Sequence, residues 1–235
     1  MKASKFFDIY SDGAKELFSR PIFIVISLVL GLLITFVSIL GKTITPGLES
    51  TFSNVAWTAV AGLIVLALVS YVSAGLIGLE RKDGLKEFFS VAKKFWLGNL
   101  VISLTVVILS NVLLSGSIYL FTRLMLSIRP AFEVTNETVL WVLPRFIVLI
   151  WLMGVIIFFT FSNVFLVVEK LRVRKAIKRS FKFVKREYPA TLFLVISFWI
   201  VYRLVNQIGG FMGDVVIYGL VFPYFVLVLT KFVRK

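Results

Sequence analysis

The side chains that could do chemistry in this sequence form a short list. The chain contains no His and no Cys, so it lacks the commonest general base and metal ligand, and it has no thiolate nucleophile or disulfide. On the expected inner side, the carboxylates nearest to the apolar runs are Glu80, Glu169 and Glu187, and each adjoins a basic residue, as in ion pairs at helix ends. No glycine loop followed by Lys and Ser or Thr is present to bind ATP. We therefore predict that the protein is not an enzyme and uses no metal ion or cofactor.

Two charged residues fall within or beside apolar runs. Arg203 lies in the run that begins at Pro189, and Asp214 follows eleven residues later, after the glycine turn at 209–210. Antiparallel helices joined at this turn would bring both to similar depth, as a structural ion pair or as a site for a polar substrate. The alternative is that Arg203 extends its side chain to the outer interface. Four amide residues are candidates for a polar path or for hydrogen bonds between helices: Asn111, Asn163, Asn206 and Gln207.

The most basic segment is EKLRVRKAIKRSFKFVKREY at 169–188, which holds nine Lys or Arg against two Glu. Read as a helix, it places one group of larger residues on a single face: Val173, Ile177, Phe181, Val184 and Tyr188. The opposite arc carries the candidate contacts to lipid headgroups: Arg172, Lys175, Lys178, Arg179, Lys182, Lys185 and Arg186. Membrane anchoring, binding of anionic lipid and docking of a cytoplasmic partner protein are the three interpretations of this charge.

Composition points to a membrane protein. The chain has 235 residues, of which 59% are hydrophobic and 16% charged, with a mean hydropathy of +0.98. Soluble domains have about 25% charged residues. The net charge of +14 is the excess that the positive-inside rule predicts for cytoplasmic loops, so we expect membrane lipids as partners and no nucleic acid.

The apolar runs predict an all-α polytopic fold in a single membrane domain, 1–235. Six transmembrane helices are expected at about 21–40, 55–79, 97–121, 146–168, 189–208 and 213–230, and three interfacial amphipathic helices at about 3–19, 81–96 and 170–187. With the N-terminus inside, 21 Lys and Arg lie on the inner side and five outside. This asymmetry predicts a multi-pass protein of the plasma membrane with both termini cytoplasmic. Asn136-Glu137-Thr138 matches the glycosylation pattern, which fits an external loop there.

Three similar fragments suggest an internal repeat. They are IVISL at 24–28, LVISL at 100–104 and LVISF at 194–198, and each lies early in an odd-numbered crossing after an amphipathic segment. The unit would be an interfacial helix, a crossing, an external turn and a second crossing, used three times. Because each unit has two crossings, the sequence predicts three tandem helical hairpins in parallel orientation.

The two inner connectors and their flanks, GLIGLERKDGLKEFFSVAKKFWLGNL and FLVVEKLRVRKAIKRSFKFVKREYPATL, carry a family resemblance. The matching features are an acidic residue ending an even-numbered crossing, an Ala-x-x-x-Ser stretch, and a Gly or Pro where the next crossing begins: Glu80 and Glu169, Ala176 and Ser180, Gly98 and Pro189. In these features the chain resembles six-crossing prokaryotic membrane proteins of archaeal type and the membrane domain of some bacterial glycerophosphodiester phosphodiesterases. The resemblance implies a six-helix membrane domain without the phosphodiesterase domain, and it carries over no catalytic residue.

Two functions remain open from the sequence. The first is a non-enzymatic transport component or the membrane subunit of a larger assembly, with a partner protein or further copies of the chain. The second is a membrane scaffold that organises anionic lipids through its interfacial helices. A transporter needs a polar cavity that reaches midplane residues such as Asn111, whereas a scaffold can have a dry core.

Overall fold

The computed structural model describes residues 3–44, 51–79, 84–128 and 152–234. Within these ranges every regular element is helical. The first four helices are α1 (Ala3–Ser19), α2 (Pro21–Ile44), α3 (Thr51–Leu79) and α4 (Leu85–Ile128). They are followed by α5 (152–159), α6 (Ser162–Val168), α7 (Val173–Arg186), α8 (Tyr188–Asn206) and α9 (Gly210–Val216). A π-helical segment, Ile217–Val221, then leads into α10 (Phe222–Arg234).

Among the described residues, four helical segments are long and apolar enough to cross a membrane: Thr58–Leu79, Leu85–Leu120, Tyr188–Asn206 and Met212–Arg234. A fifth is obtained when α1 and α2, which meet at an angle of 83°, are counted together. The segment Leu152–Val168 is apolar but shorter. The all-α class and its apolar, membrane-length helices are therefore confirmed for the described residues. Glu80, Asn136 and residues 146–151 of the expected fourth crossing lie outside them.

The third crossing differs from its expected form. We predicted an interfacial helix at 81–96 and a separate crossing at 97–121, whereas α4 is one continuous helix of 44 residues. Gly98 is the only helix breaker near the expected boundary, and a single Gly in a helix costs only about 1 kcal/mol. Gly98 instead gives room to a neighbour, because a Cβ built there would lie 2.8 Å from Leu166 Cδ2.

The expected sixth crossing, 213–230, consists of α9, the π-helical segment and α10 in succession. Pro223 has no N–H and cannot donate to the carbonyl four residues earlier, so the regular α-helical ladder is interrupted beside it. A π-helical turn fits such a place. Gly219 within the segment lets α2 approach closely, because a Cβ there would lie 2.5 Å from Leu28 Cδ2.

The amphipathic start of the chain packs along the last helix. Ile9, Gly13 and Leu17 recur every four residues on one face of α1 and are buried. A Cβ on Gly13 would lie 2.8 Å from Val228 Cγ2. The Tyr224 hydroxyl donates to the carbonyl oxygen of Tyr10 over 3.1 Å.

A charged cluster holds the ends of three helices together. Glu16 accepts from Lys231 Nζ at 2.6 Å and from Arg20 Nη1 at 3.2 Å. Arg20 Nη1 also donates to the carbonyl oxygen of Leu79 over 3.2 Å, at the end of α3. The last carbonyl groups of a helix have no partner within the helix and carry partial negative charge, so basic side chains bind them favourably. The ends of α3 and α10 therefore lie on the same side of the molecule as α1.

The amphipathic first part of α4 packs on the end of α3. A Cβ on Gly75 would lie 2.2 Å from the ring of Phe88, and one on Gly78 would lie 2.7 Å from Val91. Phe88 and Gly75 are buried. The two glycines of α3 therefore form the surface that receives α4 at this end.

Candidate functional site

The helix α7 is held against the rest of the protein by one face. Its buried residues are Ala176, Ser180, Phe183 and Val184. The Ser180 hydroxyl donates to the carbonyl oxygen of Phe158 in α5 over 2.7 Å. The ring of Phe183 packs at 5.0–5.7 Å between centroids against three other phenyl rings, Phe161, Phe165 and Phe232. Aromatic packing and a buried hydrogen bond thus fix the rotation of α7 about its own axis.

This buried face is rotated from the one that the sequence predicted. Of the expected residues only Val184 is buried, while Val173, Ile177 and Phe181 are half-buried. Tyr188 is 45% exposed. The physical reason is that the small residues Ala176 and Ser180 allow close approach of two helices, so they take the centre of the contact.

The connection before α7 turns sharply. Lys170 has a φ of 53°, the left-handed conformation that commonly ends a helix. The N–H of Glu169 completes the last turn of α6 by donating to the carbonyl of Phe165. The chain therefore leaves α6 in a new direction and brings α7 back onto it.

All seven predicted headgroup contacts on α7 and in the residue before it are exposed, and so is Arg174, which the prediction did not include. Two of these cations form ion pairs: Arg179, in the middle of α7, with Glu169 after α6, and Arg186, at the end of α7, with Glu187, each at 3.3 Å. Within the part of the chain that the structure describes, the other exposed cations of the helix have no carboxylate partner: Arg174, Lys175, Lys178, Lys182 and Lys185.

These five side chains share one side of α7. Arg174, Lys178, Lys182 and Lys185 are spaced by three or four residues, so they form a stripe, and Lys175 lies beside it. The stripe is about 16 Å long at 1.5 Å per residue. It points away from the buried face. We call these five residues the cationic stripe.

A cavity of about 300 Å³ lies between α3, α4, α5, α6 and α10. Most of its lining is aliphatic or aromatic, with residues such as Leu66, Val69 and Phe225. Four polar residues also line it: Ser73, Ser103, Thr160 and Asn163. We call it the α3–α10 cavity. Apolar cavities with a few convergent polar groups are the usual form of a small-molecule site.

A buried polar cluster supports one wall of this cavity. Asn99 is fully buried, and its amide nitrogen donates to the Ser70 carbonyl and to the Ser73 hydroxyl, both over 3.2 Å. The Ser70 hydroxyl donates to Ser103 Oγ over 3.4 Å. The sequence prediction did not include these residues. The signal was present only as polar residues that interrupt two neighbouring apolar runs.

The four amides of the predicted polar path do not lie together. Asn163 lines the α3–α10 cavity, and its Oδ1 is buried without a hydrogen-bond partner among the described residues. Asn111 is exposed, and its amide donates to the carbonyl of Val107 in its own helix over 2.8 Å. Asn206 and Gln207 are exposed at the end of α8. Only Asn163 of the four faces a described cavity.

Arg203 and Asp214 form no ion pair with each other in the described structure. The guanidinium of Arg203 instead lies over the ring of Trp199, one turn earlier in the same helix, at 5.4 Å from the centroid. Its side chain is exposed, while Asp214 is half-buried. The reason is the spacing of four residues in α8, which lets the cation reach an aromatic face without a partner from another helix.

A second cavity, of about 320 Å³, lies beside the first. It is lined by aromatic residues of α8 and of the π-helical segment, such as Phe198, Trp199 and Tyr218. Ile156, Phe222 and Phe225 line both cavities. These three side chains therefore form the wall between them.

In the part of the chain that the structure describes, the fold is all-helical with four or five helices able to span a membrane by length and composition. The described residues contain no group of three or more acidic residues that could hold a metal ion. No protein-family model, curated protein or solved structure matches the chain.

Proposed function

We propose that the protein is a non-enzymatic integral membrane protein that gathers anionic lipids through the cationic stripe of α7. The observation that carries this proposal is the pairing of a fixed buried face with a stripe of cations that have no carboxylate partner among the described residues. Each Lys or Arg near an anionic membrane surface contributes about 1 kcal/mol of attraction. Five cations on one side of α7 would therefore hold several headgroups against the helix.

The proposal includes a topology of six crossings with both termini in the cytoplasm. The fourth crossing would be Leu152–Val168 together with residues 146–151. The asymmetry of 21 inner to five outer Lys and Arg supports this orientation, and it supports a location in the plasma membrane, whose cytoplasmic leaflet is anionic. The cluster of Glu16, Arg20 and Lys231 supports the placement of α1 and of the C-terminal ends of α3 and α10 on one side of the membrane, because it holds the three together.

The cavities favour the lipid-organising function over a path for polar solutes. The amide of Asn111 is bonded within its own helix, and both cavities are lined mainly by apolar side chains. A transport component, or the membrane subunit of a larger assembly, is the second candidate. The observation that favours it is the pair of adjoining cavities separated by Ile156, Phe222 and Phe225. Flux of an apolar solute in proteoliposomes that stops when Phe225→Trp thickens this wall would support transport.

The lipid proposal is tested by changing the stripe. In the variant with Arg174, Lys178, Lys182 and Lys185 all changed to Gln, we expect the apparent affinity of the purified protein for phosphatidylserine to fall about fivefold per charge removed. Arg179 and Arg186 stay unchanged because they already pair with Glu169 and Glu187. The measurement is the amount of anionic lipid retained by protein purified in mild detergent, set against added phosphatidylcholine.

A matched control removes the same charge elsewhere. Lys15, Lys86, Lys93 and Lys94 are exposed on α1 and on the first part of α4. Changing all four to Gln lowers the net charge by the same amount as the stripe variant. We expect this control to retain clearly more anionic lipid than the stripe variant. Equal retention in the two variants would show that total charge, and not the stripe, attracts the lipid, and the proposal would fail.

A further inference from the structure

The second cavity, of about 320 Å³, is enclosed mostly by aromatic rings. Six of its eleven lining side chains are aromatic: Phe198, Trp199, Tyr202, Tyr218, Phe222 and Phe225. Three of the six belong to α8, and the other three belong to the π-helical segment and α10. Rings from different helices therefore border one space, which we call the aromatic cavity.

Most of these rings are not stacked on one another. Phe198 and Phe225 form a ring pair with 4.1 Å between centroids. The other four rings contact no aromatic ring within the part of the chain that the structure describes. Aromatic rings gain stability from an offset-stacked or edge-to-face partner. These four rings are therefore able to take a planar ring of a ligand as their partner.

The π-helical segment contributes one wall of the aromatic cavity. Three of its five residues line the cavity: Ile217, Tyr218 and Val221. Close packing against α2 holds this segment, because a Cβ on Gly31 would lie 3.0 Å from Tyr218 Cβ. Short π-helical turns occur frequently at functional sites. The irregular backbone of the sixth crossing therefore coincides with the cavity wall.

Two hydroxyl groups of the lining have unused hydrogen-bonding capacity. Neither the Tyr202 nor the Tyr218 hydroxyl forms a hydrogen bond among the described residues. The oxygen of Tyr218 keeps accessible surface, and the Tyr202 residue is 46% exposed. A phenol donates a hydrogen bond more strongly than an alcohol does, because its proton is more acidic. The lining therefore offers donors that an acceptor oxygen of a ligand can use.

The charges near the aromatic cavity balance each other. The guanidinium of Arg203 lies over the ring of Trp199 at 5.4 Å from the centroid. The carboxylate of Asp214 lies within electrostatic range of Tyr218. Neither charged residue belongs to the lining. One positive and one negative charge outside the cavity favour a neutral ligand over an ion.

The aromatic cavity is accessible from the side of the bundle. Trp199 and Tyr202 line it and are 40% and 46% exposed on α8, a helix that can span a membrane. Its lining on α8 runs from Val195 to Tyr202, which is about 11 Å of helix axis at 1.5 Å per residue. This length exceeds that of two fused six-membered rings. A molecule dissolved in the bilayer can therefore enter and lie along α8.

We infer that the aromatic cavity binds a neutral, planar, conjugated ring that carries a carbonyl oxygen, the chemistry of a lipid-soluble quinone. The unstacked rings pack on the plane of the ligand, and the Tyr218 hydroxyl donates to the carbonyl oxygen. Tyr218 is the principal donor because it is less exposed than Tyr202, so water competes less for its hydroxyl. An acyl chain has neither a planar ring nor an acceptor to offer at this place.

The site is independent of the cationic stripe, since no residue of α7 lines the aromatic cavity. The stripe attracts anionic headgroups, whereas the cavity selects a neutral ring. Failure of one proposal therefore leaves the other standing, and the stripe variant serves as a control in the test of the cavity.

The test uses the whole protein in phosphatidylcholine nanodiscs with a photoreactive azido-naphthoquinone as the probe. Labelling is measured by mass spectrometry of the peptides that contain residues 195–202 and 217–225. Three unlabelled competitors are compared at equal mole fraction in the lipid: menadione, which is a methylnaphthoquinone, methylnaphthalene, and methyldecalin. Menadione should compete about tenfold better than methylnaphthalene, which has no carbonyl. Methylnaphthalene should compete about fivefold better than the saturated methyldecalin, which is not planar.

Changes of the hydroxyl groups test the donor. Tyr218→Phe keeps the ring and removes the hydroxyl, so the advantage of menadione over methylnaphthalene should fall to less than about threefold. Tyr202→Phe should reduce this advantage less. Tyr119→Phe is the matched control and should leave the ratio unchanged, because Tyr119 is 60% exposed on α4 and does not line the cavity.

A change of one ring tests the stacking. Trp199→Leu removes an unstacked ring, so the advantage of methylnaphthalene over methyldecalin should fall to less than about twofold. Trp96→Leu is the matched control, because Trp96 is half-buried on α4 and lines neither cavity. The stripe variant should give the same two ratios as the unchanged protein.

Equal competition by all three compounds in the unchanged protein would overturn the inference, since the cavity would then recognise only apolar volume. Labelling that no competitor reduces would also overturn it, because the rings would then only anchor the helices at the membrane interface. An unchanged menadione ratio in Tyr218→Phe would exclude the proposed hydrogen bond. If Trp199→Leu does not fold, the two ratios in the unchanged protein and in Tyr218→Phe decide the question.

Discussion

The first part of α4 and the helix α7 take equivalent places in the predicted repeat, and they dock in opposite ways. In α4 the large residues Phe88 and Val91 enter space that Gly75 and Gly78 of α3 provide. In α7 the small residues belong to the docking helix itself, where Ala176 and Ser180 are fully buried. The first part of α4 inserts large side chains into space that its partner provides, whereas α7 approaches its partner closely at two small residues and packs the ring of Phe183 beside them.

The two helices dock differently because they are connected differently to the membrane-length helix that follows each of them. The first part of α4 continues into a membrane-length helix without a break, so its rotation is fixed and the partner has to supply the room. Residue Glu187 separates α7 from α8, which begins with Tyr188 and Pro189. Because of this separation, the rotation of α7 about its own axis is not imposed by α8. Its small residues could therefore set the direction of the cationic stripe.

Among the substitutions that test this difference in docking, the largest change in unfolding free energy is expected at Gly75. Gly75→Leu should lower the free energy of unfolding in mixed detergent micelles by about 3 kcal/mol, because overpacking of a fixed contact costs 1–3 kcal/mol or more. The new side chain would meet the ring of Phe88, which is 2.2 Å from the position of a Cβ. Gly62→Leu is the control in the same helix, since a Cβ there meets nothing within 4 Å.

The same contact predicts a rescue. Phe88→Ala would open space beside position 75, so the double variant should be less destabilised than the sum of the two single variants. Coupling of this kind is expected for residues in direct contact. Additive effects would mean that Gly75 does not provide the room for Phe88.

A smaller change in unfolding free energy is expected at Glu16. This residue holds α1 in place through an ion-paired cluster, which differs from the docking of both α4 and α7. Glu16→Gln removes the negative charge that pairs with Lys231 and Arg20 while keeping the size of the side chain. We expect a loss of about 2 kcal/mol in unfolding free energy, between the values for exposed and buried pairs. Glu87→Gln, on the first part of α4, should change it by less than about 0.5 kcal/mol. A similar loss in both variants would show that Glu16 has no special role.

The smallest effect is expected at Ser180. Ser180→Ala removes the donor to Phe158 and leaves that contact otherwise intact, so the cost should be about 1 kcal/mol. Ser90→Ala is the matched control, because Ser90 is exposed on the amphipathic part of α4. Both variants change helix propensity in the same way, and only Ser180→Ala also removes a docking hydrogen bond. The difference between their unfolding free energies in the same detergent assay therefore measures the hydrogen bond. Equal losses of unfolding free energy in Ser180→Ala and Ser90→Ala would show that the hydrogen bond does not contribute to the docking of α7.

The positions of the helices could be predicted from the sequence better than their contacts, because they follow from the length of the apolar runs. The expected crossing at 189–208 corresponds to α8, Tyr188–Asn206, and the expected end at residue 79 is the end of α3. Both agree because an uncharged run bounded by polar residues marks the length of helix that avoids water. The bend between α1 and α2 also falls at the expected junction, beside Pro21.

Side-chain rotation and hydrogen bonding were harder to predict. The docking face of α7 depends on Ala176 and Ser180, which carry little weight in a hydrophobic pattern. The cluster around Asn99 depends on Ser70 and Ser73, almost thirty residues earlier. A single sequence has no periodic signal for such contacts, since they are set by how two helices approach each other.

The interruption between α5 and α6 has no sequence signal either. It lies at Thr160 and Phe161, where neither Gly nor Pro occurs. Phe161 is buried and stacks on Phe232 of α10. Packing of a distant aromatic residue, rather than local propensity, accompanies the break.

The contact of α1 with α10 also has a consequence for the order of biosynthesis. Tyr10 and Tyr224 are 214 positions apart, so at about 5–20 residues per second the ribosome completes α10 roughly 10 to 40 seconds after α1. During that interval Ile9 and Leu17 have to rest against lipid or other helices. Of the described helices α1 is made first, and it is therefore among the last of them to reach its final partner.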